Sequence, residues 1–317
     1  MTTARGVLYA RVADASMLTA MLRAVNFTAF ATISISASGL EVVSEVNKAV
    51  QAHAYLYASI FDEYSFVPPR NWMELANRDD SDDEDAQPYI SFELNVSTMV
   101  QCLTLFEGRM HANDSRGMDA RRRGDYVEIT YRDFGEPLSV GLHTGRIDMN
   151  FRLRTLDSSM VPDLQFSPET TVAQVIMKSE YLARAFQELD AGGETQVHVH
   201  FRPRTGRTER GGLDLSTENS HGSTEISFPN ENQLTEKFDC VESVACAYPL
   251  QCVAYMLQAI KTSLKTSLRI DENGMLSVQF MIASHHAQAM TRSAAPLTVA
   301  ASGHAFVEFL CCPLTDA

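Results

Sequence analysis

The chain is poor in most features that mark a specialised class. Of its 317 residues, one is Trp and six are Cys. Six Cys are too sparse for a disulfide framework in a chain this long, and they fit a reducing compartment. No stretch approaches the roughly 18 consecutive apolar residues of a transmembrane helix, so no membrane contact is expected. The opening Met1-Thr2-Thr3-Ala4-Arg5 leads straight into an alternating strand, with no secretory h-region. Neither standard phosphate-cradling glycine loop occurs, nor a Gly-x-Ser-x-Gly elbow. Positive charge is scarce too: 26 Lys and Arg face 40 Asp and Glu, a net of −14. Six of the negative charges lie in the run Asp79-Asp80-Ser81-Asp82-Asp83-Glu84-Asp85, and removing them still leaves −8. A chain this acidic does not coat nucleic acid. Any contact with DNA has to use a segregated basic face.

What is present is a globular composition, 45% apolar and 21% charged, long enough for two domains at about 150 residues each. Short strands with period-two alternation dominate, interrupted by four amphipathic helices. In the first helix Met17, Leu18, Met21, Leu22 and Val25 share a face, with Asp14 as a candidate N-cap. Met99, Val100, Leu103 and Phe106 form the stripe of the second. Leu182, Ala185, Phe186 and Leu189 form that of the third, behind Ser179 as a cap. The fourth starts near Pro249, a favoured first-turn residue, and turns Leu250, Val253, Leu257 and Ile260 inward. Strands are predicted at 6–12, 31–36, 40–46, 52–60, 89–94, 126–131, 137–143 and 147–153. In the second half they fall at 172–177, 196–201, 212–216, 224–228, 267–270, 276–282 and 305–311. The first and third helices lie 165 residues apart, the second and fourth about 153. One strand-helix-strands unit is thus used four times, two per domain. The reading is α+β: an N-terminal domain 1–154 with insertions 68–87 and 108–124, a connector 155–168, and a C-terminal domain 169–317.

Catalytic and metal signals are weak. His198 and His200 share a strand face but have no third ligand nearby in sequence. Cys240, Cys246 and Cys252 are spaced too widely for a zinc knuckle, and Cys311 and Cys312 point to opposite sides of a strand. All five read as small buried hydrophobes. Asp82-Asp83-Glu84 matches the Asp-x-Glu pattern of proofreading exonucleases, but two-metal carboxylates need rigid support, and this run sits in a polar insertion. It reads as a solvated loop, with Ser81 fitting an acidophilic phosphorylation pattern. Arg121-Arg122-Arg123 reads as solvated in preference to a nuclear import patch. No cofactor is expected. The remaining basic residues are few: Arg23 and Arg184 lie off the apolar stripes of their helices, Lys261 ends the fourth, and Lys265 follows it. On helices lining one channel, they would gather there.

The third helix and its flanks, Ile176-Met-Lys-Ser-Glu-Tyr-Leu-Ala-Arg-Ala-Phe-Gln-Glu-Leu-Asp190, resemble the start of the second domain in the Rad-one subunits of the checkpoint clamp, fungal type included. So does the ending, Gly303-His-Ala-Phe-Val-Glu-Phe-Leu-Cys-Cys-Pro313. Asn273-Gly-Met-Leu-Ser-Val-Gln-Phe-Met-Ile282 and Val50-Gln-Ala-His-Ala54 are similar to that family as well. The resemblance covers nearly the whole chain and departs at Pro68–Gln87.

The resemblance implies one third of a heterotrimeric ring, the nine-one-one clamp, with Rad-nine-type and Hus-one-type subunits. Each subunit has two similar clamp domains, helices inside and antiparallel sheets outside. A loader of the replication-factor-C type places the ring on double-stranded DNA, without sequence specificity, at damaged or recessed junctions in the nucleus. The ring then supports checkpoint kinase signalling and recruits repair enzymes. By alignment with the clamp fold, subunit contacts are expected at about 146–154 and 222–228. Arg23, Arg184, Lys261 and Lys265 are expected to line the DNA channel. Met160, Val161, Leu164 and Phe166 are expected to anchor the connector across a shallow outer groove where partner peptides dock. A 3′→5′ exonuclease, an activity ascribed to fungal members, is the alternative; a self-trimerising replicative clamp is disfavoured.

Overall fold

Alternating apolar residues dictate most of what the computed structural model contains. It describes residues 6–69, 88–114, 124–144, 147–158, 164–190, 195–205, 211–220, 222–283 and 304–314. The chain divides into two compact units. The first comprises Met1–Ser44, Ala54–Val161 and Ser284–Ala305; the second comprises Glu45–His53, Pro162–Ala283 and Phe306–Ala317.

Unit 1 holds β1 (Leu8–Val12), α1 (Ser16–Ala24), β2 (Ala31–Ser36), β3 (Gly39–Val46) and β4 (Val50–Tyr57), the last two reaching into 45–53. It continues with β5 (Glu63–Phe66), β6 (Tyr89–Leu94), α2 (Val96–Asp114), β7 (Tyr126–Tyr131), β8 (Leu138–Thr144), β9 (Ile147–Leu153) and β10 (Thr155–Asp157). One sheet has the order β5-β1-β7-β8-β9, and a second strand run has the order β10-β6-β2-β3-β4. Each described strand pairing is antiparallel.

Unit 2 holds β11 (Thr171–Lys178), α3 (Ser179–Asp190), β12 (Gln196–Arg202), β13 (Gly212–Asn219), β14 (Gly222–Pro229), β15 (Thr235–Cys240) and β16 (Val244–Pro249). After these come α4 (Gln251–Thr262), β17 (Ser263–Asp271), β18 (Leu276–Ala283) and β19 (His304–Cys311). Its strand runs are β19-β18-β17-β11-β15 and β14-β13-β12-β16. In each unit the two helices pack side by side.

The cores follow the apolar stripes. Met17, Leu18, Met21, Leu22 and Val25 are buried on α1, and Met99, Val100, Leu103 and Phe106 on α2. Leu182, Ala185, Phe186 and Leu189 are buried on α3. The stripe of α4 is rotated from the expected one: Cys252, Val253, Met256, Ala259 and Ile260 are buried while Leu257 is half-exposed.

Several ends are set by chemistry other than that expected. Asp14 Oδ1 accepts the Ser16 N–H at 3.0 Å, an i→i+2 bond ahead of a helix whose N-cap is Ala15. Asn95, unmarked in the sequence reading, caps α2 by accepting the Thr98 N–H at 2.9 Å. Ser179 is the first residue of α3, not a cap, and its hydroxyl bonds Thr266 Oγ1 and Ser263 Oγ beneath the helix. Pro249 ends β16, so α4 starts without it. The strand predicted at 52–60 is β4 followed by a 3-10 turn at Ala58–Ile60. The insertion expected at 108–124 begins as a continuation of α2 to Asp114. Cys102, Cys252 and Cys311 are buried, whereas Cys240, Cys246 and Cys312 are only partly so.

Candidate functional site

The solvent faces of the four helices carry few charges. Arg23 lies in the last turn of α1, where its guanidinium donates to Thr104 Oγ1 at 2.8 Å and approaches Glu107 Oε2 at 3.4 Å on α2. Arg184 and Lys261 are exposed on the neighbouring helices α3 and α4. Elsewhere on these helices the described exposed positions are mostly uncharged: Thr98, Gln101 and Thr104 on α2, Gln187 on α3, Gln251 and Gln258 on α4. Glu180 and Glu188 accompany Arg184. Among the described side chains of these helices, Glu107, Glu180 and Glu188 balance the three cations, so the described faces attract a polyanion weakly.

Lys265 stands apart from that set. It lies on β17, and strand alternation turns it away from Thr266, which is buried against the start of α3. Its ammonium is ion-paired with Glu236 Oε2 at 2.7 Å.

The connector is held at both of its described ends. Thr155–Asp157 forms β10, paired with β6. Further on, the Leu164 N–H donates to Oε1 of the buried Gln51 at 3.2 Å. The Phe166 ring lies 4.7 Å from the Arg269 guanidinium carbon, within cation–π range. Arg269 is fixed in turn: Nη2 donates to Ser277 Oγ at 2.9 Å and Glu308 Oε1 at 3.0 Å, and Ser277 donates to the same carboxylate at 2.6 Å. Leu164 and Phe166 are half-buried. Met160 and Val161 lie outside the described residues. Sequence reasoning missed Gln51, Arg269 and Glu308. Their signal was faint: Glu308 is a lone carboxylate in the apolar run Ala305–Cys311, and Gln51 and Arg269 each lie between two apolar residues of their strands.

The expected contact ranges coincide with two outermost strands: β9 ends the five-stranded sheet and β14 ends the four-stranded one. Both are exposed along much of their length.

The histidine pair sits in a polar network. His200 Nε2 is 2.8 Å from Ser243 Oγ, and His198 contacts Gln196. Nearby, Arg202 grips both oxygens of the buried Asp214. Burial pushes that carboxyl up, but hydrogen bonds from Arg202 and Ser227 and the Arg202 charge outweigh it and hold the group below its ordinary range. Among the described residues, no group of three or more His, Cys, Asp and Glu side chains is arranged to hold a metal ion. The acidic run 79–85 and Arg121–Arg123 lie outside the described residues. No helix among those described is long and apolar enough to cross a membrane.

Residues 7–282 match the protein family described as "Repair protein Rad1/Rec1/Rad17". The chain is 25% identical to the DNA repair exonuclease REC1 of Mycosarcoma maydis, over 97% of this chain and 96% of that protein. It is 25% identical to the cell cycle checkpoint protein RAD1 of Homo sapiens, over 96% of this chain and 91% of the relative. The DNA damage checkpoint control protein rad1 of Schizosaccharomyces pombe is 26% identical over 82% of this chain and 77% of its own length.

Proposed function

Because the chain belongs to the Rad1/Rec1/Rad17 family of repair proteins, we propose that it is one subunit of a heterotrimeric DNA sliding clamp of the damage checkpoint. The observation that carries this reading is the family match running through both compact units, each of which sets a pair of helices on antiparallel strands. We take the clamp domains to be 1–154 and 169–317, joined by the connector 155–168. In a ring, the helix faces would surround the duplex. A closed ring holds DNA topologically, so it needs only a weak, sequence-blind lining that permits sliding. Arg23, Arg184 and Lys261, set among Gln and Thr, suit that role. Lys265, on the other face of its sheet, does not join them.

Ring closure would use β9 and β14. Unpaired strand edges template pairing with another chain, and head-to-tail contacts between unlike edges close into a ring. The neighbours in this reading are Rad-nine-type and Hus-one-type subunits. A loader of the replication-factor-C type opens the ring in the nucleus, and the loaded ring supports kinase signalling and recruits repair enzymes. Partner peptides would dock at an outer face that the connector would cross, with Leu164 and Phe166 among its anchors.

The test is loading. The chain, purified with its two partners and the loader, should be retained on a circular primed duplex and released when the circle is cut. Loss of retention on omitting this chain supports the reading; a ring that loads equally well without it refutes it.

A second reading, a Mg-dependent 3′→5′ exonuclease, is favoured by the name of the Mycosarcoma maydis relative. The only carboxylate run of that pattern is 79–85. The purified chain should leave a labelled 3′ end intact in Mg²⁺. Degradation lost on deleting Ser81–Gln87 and restored by reinserting the run would establish the nuclease instead.

A further inference from the structure

The outer face of the five-stranded sheet in unit 1 carries an unbroken row of side chains, one from each strand. From β5 to β9 it reads Glu63, Arg11, Tyr126, His143 and Asp148. Arg11 Nη1 donates to Glu63 Oε1 at 3.2 Å. The Arg11 guanidinium carbon lies 4.0 Å from the Tyr126 ring centroid. The Tyr126 and His143 rings stack at 4.4 Å with 23° between their planes. His143 Nδ1 is 2.9 Å from Asp148 Oδ1.

Register explains the row. Arg11 is directly opposite Glu63, Tyr126 opposite His143, and His143 opposite Asp148. Arg11 reaches Tyr126 diagonally, from its place opposite Glu128. Gly141 makes room for the histidine, since a Cβ there would lie 3.0 Å from His143 Nε2. The ring therefore folds back along β8, flat on Tyr126, with Nδ1 aimed at the edge. An ionised carboxylate only accepts, so Nδ1 carries the proton and donates to Asp148.

The row ends in an oriented carboxylate. Asp148 is on the outermost strand and its side chain is 81% exposed. At the far end Arg11 and Glu63 offset each other, so with a neutral His143 the row's net charge is that of Asp148. On the opposite face of β9, Ile147 is half exposed and Met149 and Phe151 are partly exposed, the apolar strip an added strand would cover.

We infer that Asp148, positioned by His143, selects the partner of the β9 edge by receiving an Arg or Lys from a strand added along it. Main-chain pairing and the apolar strip supply affinity in such strand addition, while the opposed charges fix register and choice. A carboxylate facing Asp148 would be repelled, because like charges directly opposite destabilise a sheet.

This inference rests on reading β9 as a ring interface, so its test separates the two. The full chain is titrated by biolayer interferometry against each of its two partner subunits. Ile147→Glu, at a half-exposed position of the edge strand, should abolish binding to one partner and spare the other, whose retained binding shows that the variant folds. Asp148→Asn should weaken binding to that same partner about 10-fold, and Asp148→Lys about 100-fold. Reversing the facing Arg or Lys of the partner to Glu should rescue Asp148→Lys. His143→Gln should weaken binding only while Asp148 is present and add nothing to Asp148→Asn. If Ile147→Glu disrupts binding while Asp148→Lys binds as the wild type does, the inference fails and the interface stands. If Ile147→Glu leaves both partners bound, the interface reading fails and takes the inference with it.

Discussion

Removing Arg184 and Lys261 together should flatten the salt dependence of DNA binding by a calculable amount. Each cation that neutralises a phosphate releases counterions and adds about 0.9 to the slope of log K against log salt. Both side chains are exposed. The double Ala variant should therefore lose about 1.8 units of slope. Across a fourfold rise in salt, from about 50 to 200 mM, its affinity for duplex should fall about 12-fold less than that of the wild type. Arg23 is already engaged with Thr104 and Glu107, so Arg23→Ala should remove less than one cation's share. Lys265→Ala should change nothing, because Lys265 faces away from the helices and is paired with Glu236. The assay is fluorescence anisotropy of the assembled ring on a short linear duplex, over a NaCl series. An unchanged slope in the double variant, or a larger effect from Lys265→Ala, would refute the reasoning.

Three further outcomes follow from local chemistry. Phe166→Ala removes the ring from Arg269, which should loosen the connector by about 1–2 kcal/mol and speed hydrogen exchange at the Leu164 amide up to about 30-fold; unchanged exchange would show that the connector is held elsewhere. Lys48 has φ +54° in the turn between β3 and β4, a conformation that suits Gly, so Lys48→Gly should stabilise by about 0.5–1 kcal/mol in urea unfolding. Asp214 has a depressed folded pKa, so its contribution is present above the unfolded value of about 3.9 and is lost as pH falls through the lower folded value. Asp214→Asn should therefore be less stable than the wild type at neutral pH, with the difference shrinking in acid unfolding below about pH 4.

The fold was legible where burial imposes a period. The stripes of α1, α2 and α3 and strands such as β2 and β7 stand where the alternation put them, because one face of each meets a core. Legibility failed where local pattern and burial part ways. β15 carries Glu236, Lys237 and Asp239 on an outermost strand, with little alternation to detect. β10 is three residues long and exists through its pairing with β6. On α4, Leu257 reads as more apolar than Cys252 or Ala259, yet the helix turns those two inward. The sites depend still more on distant pairing. Arg269 and Glu308 are 39 residues apart, and Arg11 meets Tyr126 through a register that only the folded sheet defines. Basic residues were identifiable by their scarcity, but which face each occupies was not, as Lys265 illustrates.

The central claim, that this chain is one subunit of a heterotrimeric ring, is tested most directly by native mass spectrometry of the full chain, alone and with its two proposed partners. A monomer alone and a single 1:1:1 assembly with both partners are expected. A stable homotrimer of this chain would contradict it.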